Sequence, residues 1–366
     1  MPLQRGNSPP AVLDIDVKAQ LVPLPPYREQ LRIAARISQL FAEIAEGDRA
    51  MAEAHRDLEK FRSALLKAAV TGELTKDWRE ANPVTESGHD LLDRIAKLRS
   101  ARGPAKGRGR RSTSAEVRNE TDLPTLPEGW AWATIDQLKL SDQRNGISIA
   151  GSVAPPGVKA MRLDALTSRG LDLDAVRFIP LPEDRISDYR VNAGDLLISR
   201  ANGSADLVGR AVYVREIDQT VVFPDTIIRY PLDRSEQQGG WAELVWNSPF
   251  GRSQIRRLAK TTAGILKISQ RDISQVKIPM PPPAEAAEII RRVSESLATA
   301  DDTLALLDAE AADVARLKQS ILKAAFEGQL VPQDPADEPA SALLARISVA
   351  GTSTARKARG RPRKDQ

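Results

Sequence analysis

An internal repeat constrains this chain more than any other feature of its sequence. Residues 22–38 (VPLPPYREQLRIAARIS) align without a gap on residues 278–294 (IPMPPPAEAAEIIRRVS), an offset of 256. The register holds as far as SALLKAAVTGEL (63–74), which falls on QSILKAAFEGQL (319–330). After a four-residue length difference, LLDRI (91–95) matches LLARI (343–347), and each copy ends in a basic run, at 99–111 and 354–364. The repeated unit is a Pro-rich lead-in, a long element, a Gly-Glu/Gln-Leu stop, a short helix and a basic tail. The match also reaches upstream, where Asp16-Val17 falls on Asp272-Ile273. Residues 1–21 therefore read as the remnant edge of a domain whose body is absent from the sequence.

The long element reads as a helix. Pro25 and Pro26 suit its start, and Gly72 and Gly328 stand where a C-terminal stop is expected. In the first copy Ile33, Ile37, Leu40, Ile44, Gly47, Met51, Ala54, Leu58, Phe61, Leu65 and Ala68 follow strict 4-3 spacing, an a/d seam over five heptads. The second copy keeps one row (Val293, Ala300, Leu307, Val314, Ile321) and weakens the other with Ser296, Thr303 and Glu310. There a slight rotation would substitute Leu297, Leu304 and Ala311. One such helix, about 60 Å long at 1.5 Å per residue, enters the central region and an equivalent one leaves it. The simplest pairing is an antiparallel coiled-coil rod with the central domain at one end.

Between the copies, short β-rich runs alternate with Gly, Pro, Asn and Asp: KAMRLDAL, AVRFIPL, DLLISR, RAVYVREI and TVVFPDTIIRYPL. A helical stretch, AELVWNSPFGRSQIRRLAK, and a last strand, QVKIPM, follow. The fold class is α+β: one mixed globular domain plus two long helices. The expected boundaries are 22–98 for the first long and short helices, 99–125 for a basic linker and 126–277 for the globular domain. The second long and short helices then take 278–350, and a basic tail 351–366.

Charge and composition exclude several functions. The chain of 366 residues has 53 Lys plus Arg, 49 Asp plus Glu, two His and no Cys, a net charge of +4. The two basic runs carry six cations each and no acid, so the remainder of the chain is acidic, at −8. Without Cys there is no disulfide framework and no thiolate metal site. His55 on the long helix and His89 in a loop read as surface or capping residues. No apolar run is long enough for a membrane span, and the chain reads as cytoplasmic. No Walker, dinucleotide, nucleophile-elbow or metalloprotease pattern is present, which favours a binding subunit over an enzyme.

Four segments in combination carry a family resemblance. They are LPEGWAWATI (126–135), GDLLISRANGSADLVG with the RAVYV that follows it (194–214), GILKISQRDISQVKIPMPPPAE (264–285), and KAA-x-x-G-x-L at both 67–74 and 323–330. With these, the chain resembles the DNA-specificity subunit of type I restriction–modification systems, in a form with a single target-recognition domain. The family's usual order is domain, helix, domain, helix; here it is helix, domain, helix. The resemblance implies a non-catalytic subunit that reads double-stranded DNA and scaffolds methyltransferase and restriction/translocase subunits. S-adenosylmethionine, ATP and Mg would be used by those partners, with no cofactor bound by this chain. It further implies a homodimer through the helical rod that reads a split palindrome. A truncated copy acting as an interaction scaffold without specific DNA reading is the alternative.

Candidate DNA contacts fall in three places. Gly251 to Arg271 is the one acid-free basic stretch of the globular region and offers Arg252, Arg256, Arg257, Lys260 and Lys267 for phosphates, with Thr261 and Thr262 in the adjoining loop. A solvated helix face would look the same. Arg200 and Asn202, just after a strand, suit guanine and adenine edges, or else Asn202-Gly203 simply makes a turn. Arg144 and Asn145 in a Gly-containing loop are the third pair. Trp130 and Trp132 read as core anchors. Arg359-Gly360-Arg361-Pro362 in the last tail is similar to a minor-groove hook.

Overall fold

In the computed structural model the described residues are 14–102, 123–168, 170–202, 204, 207–262 and 265–348. The basic runs at 103–111 and 354–364, including the Arg359–Pro362 segment, lie outside them, as do residues 1–13. The elements fall into two compact units, one of residues 1–57 with 303–366 and the other of residues 58–302. No helix among the described residues is long and apolar enough to cross a membrane.

In chain order the elements before the central domain are α1 (Asp14–Lys18), α2 (Tyr27–Thr71), α3 (Lys76–Ala81) and α4 (Gly88–Ala101). The central domain opens with β1 (Ala131–Thr134), α5 (Ile135–Leu138), β2 (Arg144–Asn145) and β3 (Val158–Met161). It continues through β4 (Leu166–Thr167), β5 (Gly170–Leu171), β6 (Val176–Ile179), α6 (Glu183–Tyr189), β7 (Asp195–Ser199), β8 (Ala201–Asn202), β9 (Ala211–Tyr213) and β10 (Ile227–Pro231). Then come α7 (Glu236–Asn247), α8 (Pro249–Leu258), β11 (Lys260–Thr262), β12 (Ile265–Lys267), α9 (Gln270–Ile273), β13 (Lys277–Met280) and α10 (Pro283–Phe326). A final helix, α11, covers 340–348.

The repeat is visible in the helix ends. α2 and α10 begin at residues related by the offset of 256, and each stops before a glycine in the left-handed region, Gly72 (φ 75°) and Gly328 (φ 69°). The Leu74 amide reaches back to the Ala68 carbonyl and that of Gln329 to Ala324. These bonds satisfy carbonyls that a helix end leaves open, and glycine takes the required φ without a Cβ clash.

In the unit of residues 1–57 and 303–366, Lys318 pairs with Asp48 at 2.8 Å and His55 lies 3.6 Å from Asp308. Residue numbers rise along α2 as they fall along α10, so the segments run antiparallel. In the unit of residues 58–302, Arg62 bonds Asp301, and Arg292 reaches Asp77 at 2.8 Å and the Leu74 carbonyl at 2.8 Å. The expected seam holds in part. Ile44 and Leu65 are buried, but Gly47 and Phe61 are exposed, and Arg62 rather than Phe61 faces α10. In the second copy Val293, Ala300 and Ile321 are buried and Leu297 and Leu304 half-buried, while Ala311 is exposed.

The central domain is built on a four-stranded antiparallel sheet in the order β2-β10-β7-β9. β7 is buried throughout, as a central strand covered on both faces must be. Leu196 and Ile198 face a core with Trp130, Trp241, Trp246 and Ile255, whereas Leu197 faces a second cluster with Val212 and Phe223. The expected single helical stretch is two helices, because Ser248 caps a new start and Pro249 occupies its first turn. His89 lies in the first turn of α4 and not in a loop.

β1 pairs with β13, Ala131 opposite Met280 through Thr134 opposite Lys277, so the domain's last strand continues past the expected limit at 277. α4, started by a Ser87–Asp90 capping box, packs on this pair through Gly88, Leu91 and Ile95. A Cβ on Gly88 would overlap the Met280 carbonyl, which is why glycine stands there. Glu285, in the first turn of α10, is fully buried and accepts from Thr75 Oγ1 at 2.7 Å, from Arg79, and from Trp130 Nε1 at 2.8 Å. Trp130 is the core anchor expected of it, and Trp132 stacks on Phe250 at 5.7 Å. One buried carboxylate thus joins α3, the residue leading into β1 and the start of α10.

Candidate nucleic-acid interface

Two of the three sequence candidates form one surface. β7 delivers the chain to Arg200, whose amide donates to the Thr226 carbonyl at 2.7 Å and whose carbonyl accepts from the Ile268 amide at 2.9 Å. Immediately beyond, β8 joins a second sheet in the order β11-β12-β8, with Ala201 opposite Lys267 and Asn202 opposite Leu266. The SRAN segment and the 260–267 hairpin, some sixty positions apart in sequence, are therefore hydrogen-bonded neighbours. The side chains of Asn202, Thr261 and Thr262 lie outside the described residues.

Within this sheet Lys260 stands directly opposite Lys267. Directly opposed residues share a face with Cβ atoms about 5 Å apart, and like charges there destabilise the pair. Both are exposed, and neither forms an ion pair among the described residues. Beside them lies an open depression of about 500 Å³ lined by Arg200, Lys260, Lys267, Ile268, Ser269, Arg271, Asp272 and Gln275. Four cations meet one carboxylate there, and that carboxylate is committed. Asp272 accepts from the Ser269 hydroxyl at 2.6 Å and from the Ser269 amide at 3.2 Å, closing the capping box that starts α9. An anion entering the depression meets uncompensated positive charge, and relieves the Lys260–Lys267 repulsion.

The remaining candidates take other places. Arg252 is half-buried and donates to the Val208 carbonyl at 2.8 Å, fixing the turn whose next carbonyl, on Gly209, accepts from Trp246 Nε1 at 2.6 Å. Arg256 and Arg257 lie exposed in the last turn of α8 and do not line the depression. Arg144 is in the edge strand β2, paired with Asp188 at 2.8 Å and seated over the Tyr189 ring at 5.5 Å. Its hydrogen bond holds the Asp188 carboxyl below the usual carboxylate range. Asn145 accepts from Gln270 Nε2 at 2.8 Å, which ties α9 to the main sheet. Arg271, Ser269 and Gln275 are lining residues that the charge pattern did not single out as contacts. The Ser-x-x-Asp spacing at 269–272 was the available signal, since it places a helix start there. Among the described residues no group of three His, Asp or Glu side chains is placed to hold a metal ion.

No protein-family model matches the chain. It is 28% identical over 335 residues to the type I restriction enzyme EcoKI specificity subunit of Escherichia coli K12, an alignment covering 89% of this chain and 63% of that protein. Against the StySPI specificity subunit of Salmonella potsdam it is 28% identical, covering 92% and 66%, and against the EcoDI subunit of Escherichia coli 26% identical, covering 94% and 71%. The chain thus spans about two thirds of the length of these curated relatives. In fold it is similar to a chain of a solved structure described as underlying complex assembly and conformational transition of the type I R-M system, with a TM-score of 0.57 at 21% identity, covering 89% of this chain and 66% of that one. Matched by several of them over most of its residues, the chain is a homologue of the type I restriction enzyme specificity subunits.

Proposed function

We propose that this chain is a non-catalytic specificity subunit whose central domain, residues 126–280, reads one half of a bipartite double-stranded DNA site. The observation that carries this reading is the convergence of Arg200, Lys260, Lys267 and Arg271 on one open depression whose single carboxylate is already bonded. These cations contact phosphates and fix the register, and base edges are read from the same sheet, whose strand β8 begins immediately after Arg200. Arg144, Asn145 and Arg252 act indirectly, by holding the edge strand, α9 and the Val208–Gly209 turn.

The two long helices act as an antiparallel coiled-coil rod. At 1.5 Å per residue, the 45 residues of α2 reach about 68 Å, a ruler that sets the spacing between half-sites. The rod and the domain scaffold methyltransferase and restriction/translocase subunits, which use S-adenosylmethionine, ATP and Mg, and the complex works in the cytoplasm. Two copies joined through the rod read a split palindrome, as two-fold symmetry requires.

Methylome sequencing of cells expressing this chain with a partner methyltransferase tests the reading. A bipartite methylated motif supports it, and a palindromic one supports the paired copies. An asymmetric motif refutes the homodimer, and methylation without any motif refutes sequence reading and leaves a scaffold.

A further inference from the structure

Residues 150–157 (AGSVAPPG), between β2 and β3, are all exposed and none carries a charge. They lie outside the segments that carry the family resemblance, between those at 126–135 and 194–214. The backbone of this loop is fixed at both flanks. The Ser152 amide donates to the Phe178 carbonyl at 2.9 Å and the Phe178 amide to the Ser152 carbonyl at 2.8 Å, which adds residue 152 to the free edge of β6. The Ala154 amide donates to Ser152 Oγ at 3.1 Å and turns the chain. Gly151 and Gly157 lie so close to β6 that a Cβ on either would stand 2.8 Å from a β6 carbonyl oxygen. Pro155 and Pro156 hold φ near about −65°. Between these constraints Val153 stands out at 93% exposure. A single exposed valine is ordinary where a loop can fold it away; a side chain already held in place has little freedom to lose on docking.

A second observation lies at the foot of this loop. Arg177 of β6 has a buried Nε without a hydrogen-bond partner, and its guanidinium forms no ion pair among the described residues. Its Cδ lies 3.0 Å from the place of a Gly151 Cβ. A cation that no carboxylate answers, beside a rigid uncharged tip, suits a ligand that presents an anion next to an apolar surface. The major groove of DNA does so, since phosphates line it and each thymine shows a C5-methyl there. An apolar pocket on a protein would cover Val153 and leave the cation unanswered. The loop is also within reach of the duplex that occupies the charged depression. Ser152, Phe178, Lys159 and Val222 are hydrogen-bonded neighbours on successive strands, and Thr226, four residues after Val222, bonds Arg200. At strand spacings of about 4.8 Å and about 3.3 Å per residue, Ser152 and Thr226 are at most about 20 Å apart, less than the roughly 34 Å of one duplex turn.

We propose that residues 150–157 are a base-reading finger, with Val153 packed on a thymine C5-methyl in the major groove and Arg177 on a neighbouring phosphate. Val153 is then a specificity-determining residue, since removal of its contact costs affinity only where thymine stands. Arg177 positions the finger and reads no base. The inference rests on reading residues 126–280 as a recognition domain, and its test separates the two: loss of all sequence preference removes both, whereas preference without dependence on the thymine methyl removes this one alone.

The test uses the full chain in complex with its partner methyltransferase and a labelled duplex bearing the methylated motif. The thymines of both strands are replaced one at a time by uracil, which lacks only the methyl, and affinity is read by anisotropy. With the wild-type chain, one replacement should weaken binding about fivefold, or about 1 kcal/mol. Val153→Ser should bind the unmodified duplex about fivefold more weakly and be indifferent to uracil at that position. Its melting temperature should match wild type, because Val153 touches little of the fold. Arg177→Gln should reduce the salt slope by about 0.9 and keep the uracil response. No sensitive thymine in wild type, an undiminished uracil response in Val153→Ser, a salt slope unmoved by Arg177→Gln, or release of the methyltransferase by Val153→Ser overturns the proposal.

Discussion

Replacing Lys260 and Lys267 together by alanine tests the charged depression quantitatively. If each of the four cations engages one phosphate, the logarithm of the binding constant falls with the logarithm of salt at a slope of about −3.6, and the double variant removes about 1.8 of it. Between about 50 and 200 mM salt, four contacts weaken binding by about 150-fold and two by about 12-fold. The basic runs at 99–111 and 354–364 add their own salt dependence, but equally to both proteins, so the difference in slope isolates the depression. Unfolding does not confuse the result. Lys260 and Lys267 stand directly opposite each other, and removing a like-charge pair of this kind stabilises a sheet by roughly 0.2–1 kcal/mol. Arg252→Ala is the control, since its guanidinium is spent on the Val208 carbonyl, and it should leave the slope unchanged. Fluorescence anisotropy of duplex DNA against a salt series provides the measurement. A change in slope below about 0.5 in the double variant, or an equal change with Arg252→Ala, refutes the assignment.

Three further outcomes follow from the packing. Trp130→Phe removes the indole N–H from Glu285 Oε2 and leaves a buried carboxylate oxygen without a donor, so urea denaturation should report a loss of about 1.5–3 kcal/mol. Gly88→Ala places a Cβ onto the Met280 carbonyl and 2.9 Å from the Ala131 amide. α4 must then move off the β1–β13 pair, which costs about 1–3 kcal/mol and is read by thermal unfolding. Asp195 sits buried at the start of β7, and burial pushes its carboxyl up to about 6 although it accepts from the Asn192 amide at 2.7 Å. The folded chain therefore holds a proton that the unfolded chain has released. This favours folding below about pH 4 and is lost as pH rises through about 6. Denaturation at pH 4 and pH 7 should find wild type losing about 2.4 kcal/mol relative to Asp195→Asn, and parallel profiles would rule this out.

The helical ends were the most legible part of the sequence. Period, proline and glycine at α2 and α10 are local signals, and the 256-residue repeat doubled each of them. The seam was legible as a pattern but not in full as a face, since Arg62, whose charge finds Asp301, stands toward α10 where Phe61 was expected. The candidate site was legible in composition alone. Arg200, Lys260 and Lys267 were singled out from two separate segments, but their union depends on β8 pairing with β12. Arg144 and Arg252 carry the same charge and had the same claim. They differ because Asp188 and the Val208 carbonyl lie beside them, and no count of residues reveals such neighbours.

The sequence by itself determined that this chain is a repeat enclosing a mixed domain, with most of its excess positive charge in two short runs and with motifs shared with specificity subunits. Those properties follow from periodicity, spacing and order, which the linear chain carries in full. Only the tertiary structure decided which cations face one depression, and that Glu285 has a tryptophan donor. Both depend on which distant segments are brought within about 3 Å of each other, the range in which a charge is either answered by a hydrogen bond or left for a ligand.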